Sequence, residues 1–183
     1  MNKTDILSYF KRLDNALPTP AILHIYGSAA VMLLGSDDRV SLDIDVAGLY
    51  STADTARFAE ASTIAGLPVN PEPTSAQEHV EWVGPLRLCL PPPSPESPPV
   101  ILWRGANLTV QTSRPEDLVA SKLIRYDETD QADILFLFKA SRFTFESVAA
   151  AVKNLPRPFN TDALVLENLR NLETDLHHWE TLA

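Results

Sequence analysis

The sequence predicts an α+β fold, a small mixed sheet flanked by helices and followed by a helical C-terminal half. Three observations carry that expectation. Short apolar or alternating runs, separated by Gly, Pro and polar clusters, recur through the first 112 residues and read as strands. Helical spacing of apolar residues appears between them. From Pro115 onward the helical spacing takes over and no strand-like run remains. A chain of 183 residues is long enough to bury roughly 70% of its unfolded surface without a disulfide or metal to hold it.

Taken in order, residues 4–17 are an amphipathic helix with Ile6, Leu7, Phe10, Leu13 and Leu17 along one face, stopped by Pro18 and Pro20. Ala21–Tyr26 (AILHIY) is a short buried strand, Gly27-Ser28 turns the chain, and Ala29–Leu34 is a buried helix ending near Gly35. After a polar loop at 36–40, Ser41–Ala47 (SLDIDVA) alternates strictly, with Leu42, Ile44 and Val46 on one side and Asp43 and Asp45 on the other. A helix at 52–65 ends at Gly66, and Pro68, Pro71 and Pro73 enforce an irregular stretch. Strands are expected at 79–83, 86–90, 100–103 and 107–112. Residues 91–99 hold six prolines in nine positions, and proline offers no ladder donor, so this segment is a surface loop. Helices follow at 116–126, 129–140, 145–154 and 161–180. Pro115 suits a first helical position, with Glu116 and Asp117 in the first turn.

Charge and composition narrow the function. Asp and Glu total 24 against 15 Lys and Arg, a net charge of −9, which argues against a broad surface for coating nucleic acid. It leaves room for a nucleotide or RNA site built from a few local cations with a divalent metal. The lone Cys89 excludes a disulfide framework and a Cys-rich zinc site, and fits a reducing compartment. No run approaches the ~18 apolar residues of a membrane span, and the first residues lack a signal-peptide core. The expected location is the cytoplasm.

The chemistry concentrates in residues 25–46. A strand ends in Gly27-Ser28, a helix begins, and the next strand presents Asp43 and Asp45 two residues apart, hence on one face. Two carboxylates that close repel and stay ionised together beside water or a cation. Mg²⁺ is the hard cation that shares such oxygens with substrate phosphates. Gly27 permits close approach of a ligand, and Ser28 with the neighbouring amides suits phosphate oxygens.

This constellation resembles the nucleotidyltransferase signature, a Gly-Ser at a strand–helix junction followed by Asp-x-Asp on the next strand. The spacing, with Arg39 ahead of Asp43-Ile44-Asp45, resembles the small bacterial AbiEii-like branch associated with toxin–antitoxin systems. Its downstream pattern is matched by Ser121-Lys122-Leu123 and by Asp130-Gln131-Ala132-Asp133-Ile134, so the resemblance covers roughly residues 20–140. It implies a nucleotidyltransferase-like core at 1–114, carrying the loop 91–99, and a helical region at 115–183 packed on it as one compact unit. It implies catalytic Asp43, Asp45 and Asp130, metal held by Asp43 and Asp45, and phosphate contacts from Gly27, Ser28, Arg39 and Lys122. Asp133 and Glu81 are further candidates. Larger nucleotidyltransferases place a third carboxylate on a later central strand. Residues 107–112 carry Thr109 and Gln111 there, and Glu81 is the substitute.

The implied reaction is Mg²⁺- or Mn²⁺-dependent transfer of a nucleoside monophosphate from an NTP to a hydroxyl of tRNA, another RNA or a protein, with a cognate toxin or antitoxin as partner. The alternative is a non-catalytic antitoxin or regulatory protein on the same fold. Helix geometry also gives Lys122 a structural role: it lies between Leu118 and Tyr126 on an apolar side, where it must find an anion such as Asp130.

Overall fold

Alternating apolar positions in the first part of the chain assemble into a five-stranded sheet in a computed structural model, which describes residues 1–36, 39–72 and 74–181. Asp37 and Asp38 of the expected polar loop, and Pro73 of the expected irregular stretch, lie outside the described residues. The fold is α+β. Its elements are α1 (Lys3–Ala16), β1 (Ala21–Tyr26), α2 (Gly27–Leu33), β2 (Asp43–Ala47), α3 (Thr55–Ile64), β3 (His79–Val83), β4 (Val100–Arg104), β5 (Leu108–Thr112), α4 (Pro115–Lys122), α5 (Glu128–Ala140), α6 (Phe145–Lys153) and α7 (Ala163–Thr181). The chain divides into two units, Met1–Leu88 with Pro93–Ser113, and Cys89–Pro92 with Arg114–Ala183.

In the first unit the strand order is β3-β2-β1-β5-β4. β1 runs antiparallel to β2 and parallel to β5; β3 is parallel to β2, and β4 antiparallel to β5. One sheet face carries Leu23, Ile25, Ile44, Val46, Val80 and Val110, all buried. Helices α1 and α3 pack their apolar stripes on that side. Phe10 of α1 sits 6.0 Å from Trp103, and Phe58 of α3 sits 5.1 Å from Trp82, ring centre to ring centre. Side chains cap two helix N-termini. Asn2 and Asp5 form a reciprocal capping box at α1, and the Asp54 side chain accepts from the Arg57 amide at α3. Asp14, at the end of α1, accepts from the amides of Ala106, Asn107 and Leu108 and so closes the β4–β5 turn.

In the second unit α4 is buried on every side, from Glu116 through Lys122. Its contacts are with α5 and α6. Asp127, Thr144 and Asp162 each accept from a backbone amide at the start of α5, α6 and α7.

Three expectations change. Residues 86–90 are not a strand: Pro85–Arg87 form a turn closed by Arg87 N–H to the Gly84 carbonyl, and Leu88, Cys89 and Leu90 are buried consecutively. Gly-Pro before and three prolines after leave the segment no ladder to join. Gly27 and Ser28 are the first residues of α2, not a separate turn, because Gly27 reverses the chain by itself with φ +67°. Helix α4 stops at Lys122, four residues early, and Tyr126 takes a left-handed φ of +55° before Asp127 caps the next helix. Within the proline-rich loop Pro91 is buried, while 92–99 are exposed or half-exposed around a tight Ser94–Ser97 bridge.

Candidate metal centre

The second sheet face is polar because alternation on three adjacent strands puts it there. Tyr26 of β1 is in register with Asp45 of β2, and Asp45 with Glu81 of β3. One step along, Asp43 is in register with His79. Partners in register point to the same side, so Asp43, Asp45, His79 and Glu81 share a face. A carboxylate oxygen of Asp43, one of Glu81 and a ring nitrogen of His79 all lie within 4.8 Å of one another, and all three residues are half-buried. Ligand atoms about 2.1 Å from a shared cation stand up to about 4.2 Å apart, so a small contraction would let these three hold one ion. The donors therefore fit a divalent metal.

Each member is held from behind. Ser41 Oγ donates to Asp43 Oδ1 at 3.1 Å. The Nδ1–H of His79 donates to the Gln77 carbonyl at 3.0 Å, since a carbonyl only accepts. Glu81 Oε1 accepts from Arg87 Nη2 at 2.5 Å, and the arginine side chain is 73% exposed. Asp45 is packed over the start of α2. A Cβ at Gly27 would fall 2.1 Å from Asp45 Oδ2, so only glycine leaves room for that carboxylate. Ser28 follows Gly27 in α2, and half-buried Arg39 lies in the connection before β2.

The strand at 107–112 does not neighbour the aspartate strand. β5 pairs with β1, on the side away from β2. The aspartate strand lies between β1 and β3, and β3 brings Glu81 beside Asp45. Sequence reasoning missed His79. Its signal was the alternation His79-x-Glu81 within HVEWV, which repeats the pattern of Asp43-x-Asp45. Missed too was Arg87, which sat in a segment read as a strand.

His24 also points to the polar side, and it is fully buried. Its Nδ1 takes the Gln111 amide at 3.4 Å, which leaves the ring proton on Nε2 for Ser113 Oγ at 2.9 Å. Tyr50 meets the ring edge-on at 5.6 Å. Burial pulls the His24 pKa down to about 4.

Lys122, Asp130 and Asp133 belong to the second unit, where they meet. Lys122 Nζ lies 3.0 Å from Asp130 Oδ1 and 2.7 Å from Asp133 Oδ2, with all three buried. Arg125 adds two bonds to Asp130, at 2.9 and 3.0 Å. Burial alone would raise the Asp130 pKa; the Arg125 hydrogen bonds and the Lys122 charge overcome it and hold the carboxyl below its ordinary range. The cluster ties α4 to α5.

No helix among the described residues is long and apolar enough to cross a membrane. Comparison with models of known protein families, with curated proteins and with solved structures finds no match to this chain.

Proposed function

We propose that the chain is a metal-dependent nucleotidyltransferase whose catalytic face is the polar side of the first unit's sheet. The observation that carries this reading is the convergence of Asp43, His79 and Glu81 within 4.8 Å, beside an Asp45 held against Gly27. Asp43 and Glu81 of that cluster, with the adjacent Asp45 that the resemblance assigns to the metal, would hold Mg²⁺ or Mn²⁺, and the ion would supply Lewis-acid polarisation of phosphoryl oxygens. Gly27, Ser28 and Arg39 are the residues the resemblance assigns to the phosphates of an NTP. The reaction joins an acceptor hydroxyl oxygen to the α-phosphorus and breaks the bond to the β-phosphate. Pyrophosphate leaves, and the hydroxyl proton passes to a carboxylate of this face. The acceptor implied by the resemblance is a tRNA, another RNA or a protein, in a toxin–antitoxin setting. A lone buried Cys89, its thiol pushed up to about 12 chiefly by burial, fits a reducing cytoplasm.

A second reading, a non-catalytic antitoxin or regulatory protein of the same fold, is favoured by the Arg87–Glu81 ion pair, which neutralises the third carboxylate. Incubating the protein with each α-labelled NTP, Mg²⁺ or Mn²⁺ and total tRNA or cell lysate separates the two. Label transferred by wild type and lost in Asp43→Asn supports the transferase. Nucleotide bound without transfer supports the regulator.

A further inference from the structure

We propose that His79 is a metal ligand and makes this face selective for a first-row transition cation such as Mn²⁺ over Mg²⁺, an inference that rests on reading the face as a metal site. Two carboxylates alone are a hard oxygen set and would suit Mg²⁺, which demands near-octahedral oxygen coordination and keeps its waters. An imidazole nitrogen among them shifts the preference toward transition metals.

Three observations make His79 a ligand and not merely a neighbour. Its ring nitrogen is within 4.8 Å of both the Asp43 and Glu81 oxygens. The ladder holds it there, because His79 is the register partner of Asp43 on a parallel, hydrogen-bonded strand. The Gln77 carbonyl takes the Nδ1 proton, which leaves Nε2 with its lone pair in the neutral ring. A backbone carbonyl behind one imidazole nitrogen is the usual support for a metal on the other. Arg87 completes the device. Its exposed guanidinium sits on Glu81 Oε1 and competes with a cation for that carboxylate's charge.

The test is equilibrium binding to the full chain after chelator treatment, with Mn²⁺ followed by electron paramagnetic resonance and Mg²⁺ by competition. His79→Asn should weaken Mn²⁺ by about tenfold or more while changing Mg²⁺ by less than about threefold, because only the transition ion gains from the nitrogen. Arg87→Ala should tighten both ions. Circular dichroism melts check the fold, and His79→Gln replaces His79→Asn should the latter unfold. Unchanged Mn²⁺ affinity in the His79 variant, or parallel loss of both ions, overturns the assignment while leaving a carboxylate metal site. Failure of wild type to bind either ion removes the assignment and the transferase reading together. His79-dependent Mn²⁺ binding without label transfer leaves the metal site standing and removes the transferase alone.

Discussion

His24 couples the fold to pH through one proton. It is a mid-strand residue with no exposed surface and a folded pKa of about 4 against 6.5 for an ordinary histidine. Between those values the unfolded chain binds a proton that the folded chain refuses, so stability falls as pH is lowered through that window. The full loss, below about pH 4, comes to about 3 kcal/mol. Urea titrations at pH 7 and 4.5 should show about 2 kcal/mol of this loss in wild type, and His24→Gln should lack most of it. Asp14 acts further into acid. Burial would raise its pKa, but the Asn107, Ala106 and Leu108 amides hold it below the ordinary range. Its contribution is present above the unfolded pKa and disappears as pH falls through the folded one. Asp14→Ala leaves the buried Leu108 amide without its acceptor and those of Ala106 and Asn107 at the part-buried edge of the turn, and a buried unsatisfied donor costs about 1–3 kcal/mol. A fall in denaturation midpoint corresponding to about 1–3 kcal/mol is expected, and an unchanged midpoint would show that the turn finds other acceptors. Gly105 belongs to the same arrangement, since a Cβ there would meet the Asp14 carboxylate at 2.5 Å.

At the scale of elements, the α4–α5 pairing depends on charge as much as on apolar burial. Lys122→Ala leaves Asp130 and Asp133 buried without their ammonium. Removing one partner of a buried ion pair costs about 3–5 kcal/mol. Thermal melts should show a large drop, and a variant that melts like wild type would mean the carboxylates reach water or Arg125 instead. The segment around 86–99 makes the opposite contrast within a few residues. Leu90 is fully buried, so Leu90→Ala should cost about 2–5 kcal/mol. Replacing 92–99 by a Gly/Ser linker of equal length should change stability by no more than about 1 kcal/mol, because loop closure varies slowly. Chemical denaturation of the two variants side by side checks both. These elements also show what the sequence makes legible. AILHIY, a short apolar run, and HVEWV are strands at the expected residues, because hydrogen-bonded neighbours flank both. LRLCL reads as a strand by composition, yet flanking prolines deny it hydrogen-bonded neighbours. Helix α4 ends at Lys122, and Tyr126 turns the chain toward α5 through a left-handed backbone that no residue preference announces.

For the whole molecule, local pattern and long-range pairing divide the site. Asp43 and Asp45 are readable because they lie on one strand and alternate with Ile44 and Val46. The pairing of Lys122 with Asp130 is readable because helical periodicity places Lys122 on an apolar side, whereas the contact with Asp133 is not. The contribution of His79 and Arg87 is not, since it depends on β3 lying beside β2, and strand order is set by pairing between distant segments. The same topology turns Glu81 from a substitute into the register partner of Asp45. The central claim is that this face binds a nucleotide through a divalent ion, and Gly27 offers a structural check on it: Gly27→Ala would force the Asp45 carboxylate away and should abolish such binding. The most direct measurement is calorimetric titration of a non-hydrolysable NTP into the protein, with and without Mn²⁺, for wild type and an Asp43→Asn/Asp45→Asn variant. Wild type should bind only when the ion is present, and the variant should not bind. Binding that needs no ion, or that survives in the variant, would contradict a nucleotide site built on this metal face, as would the absence of any binding by wild type.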